Sequence, residues 1–583
     1  MKKLAFLSLF IFMGLLLSAC SFLTTVQTTV ASTTTSTEQT TVETTITTNT
    51  TTISLTSATI SSTSTTTELT TLPTTEVTTY SSIETTAPVT TTTETTTVST
   101  SNLETIELYA MNDFHGGAYT DITMLSKIGA YLIDKNTSNA GTIILASGDM
   151  FQGTALSNYY YGLPIVESMN AIGFDAFTLG NHEFDWGIDK IANYKDGDPL
   201  NGEADFSVLA ANIVNKATLE PLPWTVPYTI IDVNGIRVGI IGVIGDVINS
   251  ISASRVEDVE FLDVYTTVSN YASILRTEED CDIVVVSIHD YDYSVNAQIA
   301  ALTEDHFVDA VFNGHTHSTL SDYISRSGLR MPYAQVSDSS SSLFSKITLV
   351  YDRSLAQVVQ NNATIISESQ LYFTNSDIDM ILDVFATDTE YVAFVSEELA
   401  TSQDDYYRGD LAPWGSSVIR NYMGLDFGML NEGGFRTPMY SGTVTMGDLV
   451  VIYPFDNYIK TCYLTGSQLT AFYEIVDDHN YDVVFDDQVS YASGVLYKNG
   501  IAVGPDTLYL VGAVDYVFDK TNYAFLDGSD IQTTTFLIRD LLAEDLRNHD
   551  LNFNPANGTS FPGYIPTSYY HDYSELKKQL LMI

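Results

Sequence analysis

Short apolar, β-branched runs recur along the middle of the chain, at residues 106–111, 142–146, 176–179, 283–288 and 310–313. Each is about one strand long and is closed by Gly, Asp or Asn, the punctuation expected where a strand gives way to a loop. Helical stretches lie between them. Residues 229–233 and 236–243 flank Asn234-Gly235 and predict two strands joined by a tight turn. The alternation predicts an α/β fold with a mixed sheet. Residues 378–399 carry apolar positions at helical spacing (Ile378, Ile381, Leu382, Phe385, Val392, Phe394, Val395, Leu399) and predict one connecting helix. From about Thr401 a second region has strands and helices of its own, so a boundary is expected near residue 370.

The first hundred residues are different. Lys2 and Lys3 precede an apolar run, residues 4–17, with the layout of a secretory signal and too short for a comfortable membrane span. The run ends Leu17-Ser18-Ala19-Cys20, which resembles the bacterial lipoprotein cleavage box. That resemblance implies lipidation of Cys20 and anchorage of the mature chain on the outer face of the cell membrane. Residues 21–102 are dominated by Thr and Ser with scattered Glu, Val and Pro, lack the periodicity that would bury a core, and predict an extended, disordered stalk. Only Cys281 and Cys462 then remain; they fall in different predicted domains, so no disulfide is expected.

Charge narrows the partners. With 24 basic against 72 acidic residues the net charge is −48, which excludes a nucleic-acid polymer and polybasic docking on lipid. An acidic protein that handles an anionic substrate needs positive charge from elsewhere, and bound cations are one source.

The candidate chemistry lies just beyond each strand. The first run leads into Asn112-Asp113-Phe114-His115-Gly116, the second into Ser147-Gly148-Asp149, and the third into Gly180-Asn181-His182-Glu183-Phe184-Asp185. The fourth ends at His289 and the fifth at Asn313-Gly314-His315-Thr316-His317. Carboxyl ends of strands gather at one sheet edge, where α/β folds place their sites. Five of the chain's nine histidines lie in these loops, so the blocks are expected to converge. Carboxylate, carboxamide and imidazole without thiolate suit Mn, Zn, Fe or a similar divalent ion.

In order and spacing these blocks resemble the calcineurin-like metallophosphoesterase domain of the 5'-nucleotidase family. The resemblance implies a four-layer α/β/β/α catalytic domain (103–370), a connecting helix (371–400) and an α/β substrate-binding domain (401–583). It implies two divalent metal ions: one held by Asp113, His115 and His317, the other by Asn181, His289 and His315, with Asp149 bridging. A hydroxide generated at the metals would attack phosphorus in line. His182, oriented by Asp185, would assist the leaving oxygen without binding metal. Two departures stand out: His317 where many members have Asn or Gln, and Ser287-Ile288-His289-Asp290-Tyr291 where the usual block has small residues.

The C-terminal region extends the resemblance through Asn431-Glu432-Gly433-Gly434-Phe435-Arg436 and Tyr453-Pro454-Phe455-Asp456-Asn457. By analogy Asn431, Gly434 and Arg436 bind substrate, and Phe455 stacks a base. The family's Gly-Gly-Asp-Gly-aromatic block is missing, and residues 514–523 stand in its place. Phe518 or Tyr523 is a candidate second ring, and Asp515 or Asn522 a candidate ribose contact. Arg408 and Arg420 lie near the positions of two further family arginines. The implied activity is hydrolysis of extracellular nucleotides to nucleoside and phosphate. A 2',3'-cyclic-nucleotide phosphodiesterase or UDP-sugar hydrolase would use the same metals. A surface-binding lipoprotein would have lost ligands, yet all seven expected positions hold competent residues.

Overall fold

A computed structural model describes residues 45–48, 51–54, 102–118, 121–198, 202–337, 343–479, 482–549 and 553–559. The signal-like segment, Cys20 and most of the Thr/Ser tract lie outside these. Contacts divide the chain into residues 1–97 and 98–583. In the first unit the Thr/Ser tract contains an antiparallel strand pair, Thr45–Thr48 with Thr51–Ser54, where the sequence predicts no secondary structure. Among the described residues no helix is long and apolar enough to cross a membrane.

The second unit begins with two six-stranded sheets packed face to face. One runs Gln357–Ile366, Phe344–Asp352, Leu103–Met111, Thr142–Ser147, Ala176–Thr178, Ser207–Leu209; its last four strands are parallel. The other runs Leu320–Ile324, Met331–Gln335, Ala310–Phe312, Ile283–His289, Ile236–Ile244, Tyr228–Val233, with its middle four parallel. The central strands are buried on both faces, which is why their sequences are continuous apolar runs rather than alternating ones. Leu108, Ile143, Leu145, Val238, Ile240 and Val285 fill the space between the sheets. The opposite faces pack under helices, Tyr109, Met111 and Ile144 on one side and Ile241, Val284 and Val286 on the other. The result is the α/β/β/α order of layers.

At the carboxyl ends of the strands the two sheets are joined by hydroxyls. Ser287 Oγ lies 2.9 Å from Ser147 Oγ and accepts from Thr178 Oγ1 at 2.8 Å, both within the buried interior. Gly242 permits the approach, since a Cβ there would stand 2.2 Å from Leu209 Cβ.

The expected single connecting helix is two, Ser376–Ala386 and Thr389–Val395. Thr387 ends the first, and the Asp388 side chain caps the second by accepting from the Tyr391 amide. Ile378, Leu382 and Phe385 are buried in the core of the first lobe, so this helix is part of that lobe's wall. A second lobe follows, built on the sheet Val483–Phe485, Phe427–Asn431, Leu508–Val514, Tyr458–Thr465, Ser529–Leu537 with a core of its own. The lobes touch through polar groups, Asn158 Nδ2 donating to Pro454 O at 3.2 Å and Lys520 Nζ to Asn249 O at 2.6 Å, and through apolar ones, Ala155 packing on the second core and Phe394 on both.

The strands that end in His289 and lead to His315 are fixed at their other end by one arginine. Arg276 donates to the carbonyls of Cys281, Asp282 and Phe307 and pairs with buried Asp309 at 2.6 Å. Replacing Arg276 by Met removes the partner of a buried charge, and we expect a loss of about 3 kcal/mol of stability in urea denaturation. An unchanged midpoint would contradict this account.

Candidate metal centre

Each strand exit turns sharply, and the turns carry the polar side chains. Asp113, His115, Asp149, His315 and His317 all have positive φ, between +50° and +71°. That region is costly for residues other than glycine and persists where the surroundings over-determine it. Here the backbone network does so. The Asp113 amide donates to Gly148 O at 3.0 Å, the His115 amide to Asp149 O at 3.0 Å, and the His315 amide to Asp113 Oδ2 at 2.9 Å. Loops from different strands thus hold one another.

The side chains converge. Asp113, His115 and His317 each offer one ligand atom within 4.8 Å of the others, as do Asp149, His289 and His315. Asn181 Oδ1 stands 3.0 Å from His289 Nε2. All seven expected ligands are therefore brought together. His182 joins the edge of the same cluster with His115 and Asp149.

The donor set fits cations. His289 Nδ1 donates to Ser147 O at 2.8 Å and His115 Nδ1 to Gln152 O at 3.1 Å, so that in the neutral form of either ring the lone pair is on Nε2. His115 Nε2 faces His317 Nε2 at 3.2 Å. Asp149 Oδ2 lies 3.0 Å from His289 Nε2 but off the direction of a hydrogen bond, and this buried oxygen has no hydrogen-bond partner. Burial, with repulsion from His182, pushes His115 down to about 3, and burial with His289 lowers His315; both stay neutral, the form that ligates metal. Burial opposes charge on His289, yet Asp149 and Asp113 draw it up to about 10. The buried carboxylates demand positive charge at that point.

Glu183 lies inside the third block but carries no role in the family pattern set out above. Its carboxylate accepts from the amides of Gly180 (2.7 Å), Asp149 (2.9 Å) and Met150 (3.0 Å), tying two strand exits together. Burial and the Asp149 charge raise it to about 7.

His182 stands beside the ligands. Its Nδ1 lies 2.7 Å from Asp185 Oδ2, and its backbone amide donates to Asp149 Oδ1 at 2.8 Å. Burial disfavours the charged ring, but the Asp185 and Asp149 carboxylates outweigh it and hold its pKa above the ordinary value. From the second lobe Phe455 lies against this ring, 5.8 Å between centroids and 27° between planes. A cleft of about 280 Å³ opens there, lined from the first lobe by His182, His317 and Arg255 and from the second by Asn431, Arg436 and Tyr516.

A family model described as "Calcineurin-like phosphoesterase" matches residues 106–319, and one described as "5'-nucleotidase, C-terminal domain" matches residues 386–524. Together they span more than half of the chain. It belongs to the 5'-nucleotidase family of phosphoric-ester hydrolases. Among curated relatives, "Endonuclease YhcR" of Bacillus subtilis is 26% identical over 480 residues, covering 75% of this chain and 37% of that protein. "Cell wall protein Lmo0130" of Listeria monocytogenes is 23% identical over 437 residues, covering 62% of this chain and 55% of that one. The chain thus spans between about a third and about half the length of these relatives. The crystal structure of a 5'-nucleotidase precursor from Thermus thermophilus superposes with a TM-score of 0.60 at 19% identity, over 79% of this chain and 98% of that one, a likeness of fold.

Against the family pattern the substrate side is only partly as expected. Asn431, Arg436 and Phe455 line the cleft, whereas Gly434 does not; Gly433 does, and Gly434 gives the room for Tyr453, whose ring would stand 2.6 Å from a Cβ there. Neither candidate second ring reaches the cleft. Phe518 is buried and stacks on Phe525 at 4.9 Å, and Tyr523 packs on Phe472. Tyr516, in the helical turn Asp515–Phe518, lines the cleft instead while packing partly buried against the edge of that core. Asp515 is buried and accepts from Asn457, and Asn522 faces solvent outside the cleft. Arg420 is committed to Asp486 and Asp487, and Arg408 lies exposed outside the cleft.

Gly148 gives the sharpest test of the centre. Its φ is +88°, and a Cβ there would stand 2.2 Å from His289 Nδ1. Gly148→Ala is expected to displace the His289 ring and weaken binding of Mn²⁺ about 10- to 100-fold in calorimetric titration. Unaltered affinity would remove His289 from the ligand set.

Proposed function

We propose that the chain is a dinuclear-metal phosphoesterase that hydrolyses nucleotides to nucleoside and phosphate. The observation that carries the reading is a cluster of seven metal-competent side chains, four of which (Asp149, Asn181, His315 and His317) line one cleft, with the His182–Asp185 pair at their edge and Arg436 and Phe455 also lining it. In it Asp113, His115 and His317 would hold one cation and Asn181, His289 and His315 the other, with Asp149 available to both. Divalent ions held there would supply polarisation of the phosphoryl group and a water-derived nucleophile near neutral pH.

The chain's own residues do the rest. Arg436 presents a planar donor fork to phosphoryl oxygens, and Phe455 presents an aromatic face. Asp185, hydrogen-bonded to His182 Nδ1, keeps the ring oriented and protonated, so that it stabilises the leaving oxygen and gives it a proton. Attack is in line, with no covalent bond to the protein. The cleft accepts a small molecule, and a net charge of −48 disfavours a nucleic-acid polymer. The signal-like leader and Cys20 favour a lipid-anchored protein on the extracellular face, in keeping with a relative named a cell wall protein.

The test is phosphate release by the Mn²⁺-loaded chain, before and after chelation. Substrates would be AMP, ATP, UDP-glucose, a 2',3'-cyclic nucleotide with a coupled phosphatase, and an aryl phosphate; single-stranded DNA is the polymer control. We expect metal-dependent turnover of nucleotides and a fall in kcat of about 10²- to 10⁴-fold in His182→Ala, with metal content unchanged. Turnover of DNA alone, or of no phosphoester by a chain carrying two metals, would refute the substrate class.

A further inference from the structure

We infer that Arg255 forms a second anion subsite, on the leaving-group side of His182, that selects phosphoesters whose leaving group itself carries negative charge. This rests on the hydrolase reading above. It places nucleoside di- and triphosphates ahead of monophosphates.

Arg255 ends a 3-10 turn, Ala253–Arg255, of the first lobe and enters the cleft beside His182 and Tyr516. Its surroundings differ from those of six of the other arginines. Arg237, Arg276, Arg353, Arg420, Arg539 and Arg547 each reach a carboxylate. Among the described residues Arg255 has no carboxylate at ion-pair distance, in a chain with 72 acidic side chains. Its guanidinium carbon lies 5.1 Å from the centre of the Tyr458 ring, and Nη2 donates to Asp456 O at 2.6 Å. Its buried Nε has no partner. A cation held in place by a ring and a carbonyl, in the lining of a cleft and with no carboxylate paired to it, is prepared for an anion.

Position decides which anion. The His182 ring spans two environments, because it meets the ligand cluster with His115 and Asp149 while its Nδ1 is bonded to Asp185. Arg255 lies on the Asp185 side: both line the cleft, and its Nη1 would stand 3.6 Å from a Cβ at Gly187, two residues beyond Asp185. A phosphoester with its reacting phosphorus over the cluster extends past His182 toward Arg255. For a nucleoside diphosphate, the oxygen of water bonds to the terminal phosphorus and the bridging oxygen departs with the nucleoside monophosphate. Arg255 then meets the phosphate of that leaving group. With AMP the leaving group is neutral adenosine, and Arg255 has no anion to bind.

A plainer role would be a latch between lobes, since Ser254 Oγ also donates to Asp515 at 3.3 Å. A latch would affect all substrates alike. The experiment therefore compares ADP with AMP in the Mn²⁺-loaded full chain for Arg255→Met, which keeps a stem over Tyr458, and Arg255→Lys, which keeps the charge. We expect Arg255→Met to lower the ADP:AMP ratio of kcat/KM about ten-fold or more, and Arg255→Lys to recover part of it. In calorimetry Arg255→Met should weaken a non-hydrolysable methylene analogue of ADP about ten-fold more than it weakens orthophosphate. An unchanged ratio in both measurements overturns the subsite and leaves the latch. If the wild-type chain turns over no nucleotide, the hydrolase reading fails, and the binding comparison still decides the role of Arg255. Should Arg255→Met not fold, the same comparison made with Arg255→Lys decides it: no change in either ratio overturns the subsite.

Discussion

Two carboxylates, Asp113 and Asp149, are buried within one cluster at the carboxyl edge of the paired sheets, and most of the architecture follows from that. Buried negative charge is tolerated only when it is compensated, and like charges brought together raise the cost. The protein compensates in layers. Backbone amides converge on the carboxylates and imidazoles surround them, a donor set that could hold a divalent ion. The hydroxyls of Ser147, Ser287 and Thr178 join the sheets behind the site, and Glu183 binds two of its loops together. A rigid double sheet is what such a charge arrangement requires. Two-sided burial of its central strands supplies the stiffness.

The catalytic lobe is largely legible in the sequence, and for a physical reason. Strands buried on both faces are written as unbroken apolar runs, so their ends are visible, and the residues at those ends are the site. The second lobe is harder to read. Gly433 and Gly434 are adjacent and alike in sequence, but the contact of Gly434 with Tyr453 is set by packing between distant segments. Tyr516, Phe518 and Tyr523 are all aromatic; which one faces the cleft depends on a four-residue helical turn that leaves no periodic signal. Arg255 is hidden in the sequence because it lies in an irregular segment between strands, with no motif around it. Glu183 is visible inside the Gly-Asn-His-Glu block, and a carboxylate at a strand exit, beside loop amides with no regular partner, is the signal of its bridging role. The connector gives its signal at Thr387-Asp388, a capping residue in the middle of an apolar helical pattern, which marks a helix start.

The division of labour between the lobes follows from their construction. The first presents groups whose positions are fixed by strand ends, suited to chemistry that tolerates little displacement. The second presents Asn431, Arg436, Phe455 and Tyr516 from turns and short helices, where side chains can change without disturbing a sheet. The candidate ligands and most of the remaining cleft lining are thereby carried on separate cores, with Arg255 of the first lobe reaching the second at Asp456 and Tyr458.

The left-handed backbone at the strand exits bears on how such a protein could change over generations. Five non-glycine residues held at positive φ, three of them histidines, each carry a cost of about 1 kcal/mol or more. The fold bears this cost only for the sake of the ligands. A descendant that replaced those residues with glycine would relax the turns, shed buried charge and gain stability while losing its chemistry. Silent, well-folded paralogues are therefore easily reached from this architecture. Stability alone would not favour keeping all seven of these side chains.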